Sequence, residues 1–161
     1  MVSKNNNSKQ KQSNKYEISK LLQNLKPYLL ISLICFVCVL VIISYGVFRC
    51  KINNDNFVDP LTKSFAPPPF DQYLDGWGIS HFTFFAILAY FFPKLRYLIF
   101  IWILGVLWEI VEYMFKDHPF YISKCSYKLT TDKGTGWWYG RWQDIVMNTL
   151  GIIVGYSLTK F

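Results

Sequence analysis

Four apolar runs organise the chain. Tyr28–Phe48 (YLLISLICFVCVLVIISYGVF) contains no charged residue and is long enough to cross roughly 30 Å of hydrocarbon as a helix. Tyr97–Phe115 is the next clearest; its only charges, Glu109 and Glu112, lie near one end. Trp77–Phe92 and Trp142–Thr159 are shorter and carry polar residues. Either alone suits a buried helix of a soluble protein; beside the other two they read as further spans. The expected fold is all-α: a four-helix transmembrane bundle over 28–161, with spans at about 28–48, 77–92, 97–115 and 142–159.

Ahead of the first run, SKNNNSKQKQSNK is low in complexity and lacks large apolar residues, which predicts a disordered basic tail. From Lys15 the pattern changes. Ile18, Leu21, Leu22 and Leu25 recur at helical spacing before Pro27 interrupts. That pattern fits a short amphipathic helix on a membrane surface, and equally an extension of the first span. The first run is not expected to be a cleaved signal peptide, because 27 residues precede it and it exceeds the length of such a core.

Composition agrees with membrane residence: 52% of residues are hydrophobic and 19% aromatic, more than a soluble domain of this size accommodates. The net charge of +7 resides largely in the tail beside the first span. Anionic lipid is therefore the expected partner and nucleic acid is not. Six Lys precede span one, and the short Pro93–Arg96 turn carries Lys94 and Arg96. These predict that both termini are cytoplasmic, since short basic loops set orientation.

With even topology, the end of span three and the starts of spans two and four share the outer face. His81 follows Asp75 and Trp77 in span two, Glu109 and Glu112 end span three, and Asp144 and Asn148 follow Arg141 in span four. At ~1.5 Å per residue, all the embedded polar groups lie within about 4–11 Å of one rim. Glu109 and Glu112 are three apart and share a helix face. Asp144, Asn148, Gly151 and Gly155 form one stripe, whose glycines permit close packing and turn the polar pair inward. Ionisable groups in such a place point to function, although pairing of the glutamates with Arg141 or His81 would also simply lock the bundle. Asp71 and Asp75 suit turns beside glycines. Cys35 and Cys38 serve as small apolar residues of span one.

Together these residues resemble the VanZ-like family of small membrane proteins, named after a teicoplanin-resistance protein. That family's pattern has an Asp ahead of a His-Phe pair, a Glu near the end of the next span, then Arg, Asp and Asn before a Gly-rich last helix. Asp75, His81-Phe82, Glu109 or Glu112, Arg141, Asp144, Asn148, Gly151 and Gly155 match it, over about half the chain. The chain departs from it in having a second Glu where a Gln is usual, a wider Asp75–His81 spacing and a 24-residue Lys116–Tyr139 loop. A related kind of bacterial membrane protein with a Ser-His pair and a Trp-Glu-x-x-Glu string is similar through ISHF and WEIVEY. The resemblance implies fold and site better than activity.

Three functions remain open. The first is binding or chemistry on a lipid-linked or headgroup-bearing substrate. There His81 and a glutamate transfer protons, Asn148 orients, and Arg141 and Asp75 contact substrate; Arg141 reaches either inward to carboxylates or outward to a phosphate, the outward arrangement being expected. Its metal version places His81, Glu109, Glu112 and Asp144 around a divalent ion, a set better suited to Mg or Mn than to Zn. The second is transport or proton relay, which four short helices support only as an oligomer. The third is a structural or partner-binding membrane protein whose polar cluster stabilises the bundle.

Overall fold

The computed structural model describes residues 3–52, 60–115 and 140–161. Residues 53–59 of the expected outer loop between spans one and two, and the 116–139 loop with Asp117–His118–Pro119 and Trp138, lie outside the described residues. Among the described residues four α-helices dominate: α1 (Ser3–Ile52), α2 (Gly76–Phe91), α3 (Leu95–Phe115) and α4 (Trp142–Leu158). A 3-10 turn spans Pro60–Thr62, and the described residues contain no β-strand. The all-α expectation holds, and the three shorter helices begin and end within two residues of the apolar runs.

The tail is a correction. Expected to be disordered, it is helical from Ser3, and α1 continues through Pro27 without a break. Lys and Gln are good helix formers, and extending a helix already nucleated by the Leu-rich segment costs far less than starting one. Pro27 removes one intrahelical hydrogen bond, which the long flanking segments on both sides tolerate.

Among the described residues, two helices are long and apolar enough to cross a membrane, within Asn14–Tyr45 and Leu95–Met114. Helix α2 is apolar but has 16 residues, and α4 has 17. Residues 1–37 and 38–161 form separate compact units. In the second unit, α2 and α4 make the closest pair, and α3 packs mainly on α4. Gly151 faces the carbonyl of Phe82, and Gly155 that of Ala86, so α2 and α4 run parallel. Glu109 lies beside Gly140 while Gly105 faces Asn148 and Phe85, so α3 runs antiparallel to both. The C-terminal end of α3 consequently meets the N-terminal ends of α2 and α4.

Parallel helices in direct contact normally stand 8–10 Å apart. Any side chain on Gly151 or Gly155 would occupy the space of α2 backbone, so the glycine stripe seats α4 against α2. That contact fixes which side of α4 carries Asp144 and Asn148 inward. Apolar side chains on the other sides stay exposed, among them Ile99, Ile103, Leu107 and Ile110 of α3 and Leu150, Ile153 and Val154 of α4.

Candidate functional site

A loop delivers the first member. Phe65 N–H donates to the Leu74 carbonyl at 2.8 Å, and Ser64 bridges to Asp75. Asp75 then caps α2: its Oδ1 accepts from Gly78 N–H at 2.7 Å, as an extended residue ahead of a helix does. Asp144 lies in the first turn of α4. Both carboxylates thus sit at helix N-termini, whose partial positive charge favours them.

Arg141 bridges the two. Nη1 and Nη2 donate to Asp75 at 2.8 and 3.3 Å, and Nε and Nη2 donate to Asp144 at 3.0 and 3.3 Å. Four donated bonds tie one guanidinium to a fork on each of two helices. Of the two arrangements open to Arg141, the structure places the side chain in the inward one, and only 13% of it is exposed. Its backbone N–H donates to Glu109 Oε2 at 3.0 Å, joining α3 to the same point.

Deeper in, His81 Nδ1 lies 2.9 Å from Asn148 Oδ1, donating to it in the Nδ1-protonated tautomer. The same nitrogen is 3.6 Å from Glu109 Oε1, beyond hydrogen-bond range. Glu109 Oε1 and Asn148 Nδ2 are buried and have no hydrogen-bond partner among the described residues. Such groups ordinarily find partners, because leaving one unmade costs ~1–3 kcal/mol.

Asp75, His81, Glu109, Arg141, Asp144 and Asn148 therefore meet in one place. Ligand atoms of His81, Glu109 and Asp144 all lie within 4.8 Å of one another. Glu112, expected in the same metal group, is not among these three. It is buried and takes a hydrogen bond from the Trp108 side chain instead.

No family model, curated protein or solved structure matches this chain. Its chemistry therefore has to be read from its own residues.

Several contacts escaped the sequence reading. Gln143 Nε2 donates to Gln72 Oε1 at 2.6 Å, pinning the loop to α4. Trp102 Nε1 donates to Thr149 Oγ1 at 3.1 Å between α3 and α4. Neither pair shows a periodic pattern, so only the packed helices reveal it. Gly105 could have been found: it lies four residues before Glu109, on the same face, and a Cβ there would press on Phe85 and Asn148. A cleft of about 920 Å³ opens between the 68–74 loop, α2 and α4, lined mostly by apolar side chains such as Phe70, Tyr73, Phe82, Trp142 and Met147 and by none of the six cluster residues.

The double role of Asp75 is testable. Asp75→Ala is expected to cost more than the ~1 kcal/mol typical of a lost helix cap, because Arg141 also loses one of its two forks. Asp75→Asn keeps a capping oxygen and should be milder. Thermal unfolding of both variants in detergent checks the order; equal melting temperatures would separate the cap from the ion pair.

Proposed function

We propose that the chain is an integral membrane protein of four spans with both termini cytoplasmic. Its intramembrane polar pocket, near the non-cytoplasmic face, binds or modifies a lipid-linked or headgroup-bearing substrate. One observation carries the reading: buried Glu109 Oε1, 3.6 Å from His81 Nδ1, and buried Asn148 Nδ2, beside Gly105, have no hydrogen-bond partner among the described residues. A cluster serving only to hold helices together gains nothing from such atoms, which cost free energy until something binds them. The apolar cleft along α2 and α4 suits the hydrocarbon part of a lipid. The relationship to the VanZ-like family is part of this proposal, supported by the meeting of Asp75, His81, Glu109, Arg141, Asp144 and Asn148.

On this reading His81 and Glu109 move protons or receive the headgroup, Asn148 orients it, and Arg141 organises the carboxylates around them. The structural alternative draws its support from Arg141, whose forks go to the protein's own aspartates. The two part at Asn148→Ala. Protein purified in mild detergent and analysed by native mass spectrometry should retain a lipid that this variant loses while still folding. Retention of the same lipid by both forms, or by neither, would sink the substrate reading.

Topology has its own test. Glycosylation acceptors placed in 53–59 and in 126–133 should both be modified in a eukaryotic expression system, and tags at either terminus should stay cytosolic. Two unmodified loops with accessible acceptors would invert the orientation.

A further inference from the structure

Among the described residues, the pocket gathers more carboxyl groups than cationic partners. Asp75, Asp144, Glu109 and Glu112 are all buried, and among the described residues Arg141 and, at 3.6 Å, His81 lie within ion-pairing distance of members of this set. Arg141 is shared between the two aspartates, leaving Glu109 with only a backbone N–H on one oxygen and no partner on the other among the described residues. Charges taken out of water need a counter-charge or a proton.

Distances indicate where a counter-charge fits. Adjacent ligands on an octahedron with bonds of ~2.1–2.4 Å are separated by about 3.0–3.4 Å, and opposite ones by about 4.2–4.8 Å. His81 Nδ1 is 3.6 Å from Glu109 Oε1 and 2.9 Å from Asn148 Oδ1, and in the Nε2-protonated tautomer, the one that ion binding requires, its lone pair replaces the N–H donated to Asn148. Donor atoms of His81, Glu109 and Asp144 all lie within 4.8 Å of one another. These are ligand-to-ligand separations. The geometry points to a divalent cation site formed by His81, Glu109 and Asp144, with the Asn148 carbonyl as a neutral oxygen donor.

Oxygen-rich donors with one imidazole favour a hard ion such as Mg²⁺ or Mn²⁺ over Zn²⁺. Arg141 then has a second task. By donating to both oxygens of Asp144 it fixes the orientation of that ligand, as outer groups commonly do around metals. Glu109 is held in the same way by the Arg141 backbone N–H. A cation here would also offer its open positions to an anionic headgroup, which is where the inference rests on the lipid reading; metal binding itself needs no lipid.

The test uses Mn²⁺ as the probe, added to the full-length chain in neutral detergent without added lipid. Loss of the free-ion electron paramagnetic resonance signal gives stoichiometry and affinity, and electron spin echo modulation detects a coordinated ¹⁴N. One Mn²⁺ per chain is expected, with ¹⁴N coupling from His81. Glu109→Gln should weaken binding by about tenfold or more, while Glu17→Gln on α1 should leave it unchanged. Absence of binding, or binding without ¹⁴N coupling in the unsubstituted chain, overturns the site even if the variants fail to fold. Binding that survives Glu109→Gln means an adventitious ion only. Both readouts report the ion and its own ligands, so neither result depends on whether a headgroup is recognised.

Discussion

Replacing Arg141 with Ala is expected to destabilise the second unit by about 3–5 kcal/mol, the cost typical of removing one partner from a buried ion pair. Two carboxylates, Asp75 and Asp144, lose their guanidinium together, and both lie almost out of reach of solvent. Arg141→Lys should fall between Ala and the unsubstituted chain: a single ammonium supplies charge but cannot place two donors on each of two carboxylates. Thermal unfolding in detergent at one pH ranks the three proteins. If Arg141→Lys unfolds where the unsubstituted chain does, the forks contribute nothing beyond charge. If adding anionic lipid then shifts the unsubstituted chain but not Arg141→Lys, the outward arrangement regains ground.

An effect of similar size is expected at Gly155. A Leu there meets the backbone of Ala86 before any rotamer is chosen, so relief requires the two helices to separate. Overpacking that side chains can absorb costs ~1–3 kcal/mol; backbone against backbone cannot be absorbed that way, and Gly155→Leu should exceed the range. Ala at the same position should already be costly, because the clash is with Cβ. The polar pocket should fail along with the packing, since the α2–α4 contact orients Asp144 and Asn148. Thermal unfolding in detergent ranks Gly155→Leu, Gly155→Ala and the glycine parent. An unchanged melting temperature in Gly155→Leu would mean the helices do not rely on this contact.

The helices were legible because apolar runs in this chain are long and cleanly bounded. Trp77–Phe92 against the observed Gly76–Phe91, and Trp142–Thr159 against Trp142–Leu158, differ only at frayed ends. The inward turn of α4 was legible from the glycine stripe, a packing constraint written in sequence. Partner choice was not. Asp75 and Arg141 stand 66 residues apart, and nothing local in either segment names the other. Glu109 and Glu112 share a helix face, yet only Glu109 approaches His81; the seating of α3 against Gly140 and Asn148 decides between them. At Ser3–Asn14 composition misled, since polar residues that cannot build a core can still continue a helix.

Helix lengths carry one more consequence. At ~1.5 Å per residue, the 16 residues of α2 and the 17 of α4 reach only about 24–26 Å, short of the ~30 Å hydrocarbon of a typical bilayer. The 21 residues of α3 reach about 32 Å. On the proposed four-span reading, the α2–α4 flank is hydrophobically mismatched and the α3 flank is not. Lipid around the short flank has to thin by a few ångströms, at a cost of fractions of a kcal/mol per Å. Asymmetric thinning would draw headgroups toward the rim where Asp75, Arg141 and Asp144 stand, and would favour residence in thinner membranes. Reconstitution into bilayers of graded acyl length should therefore give greatest stability below the thickness that α3 alone would select.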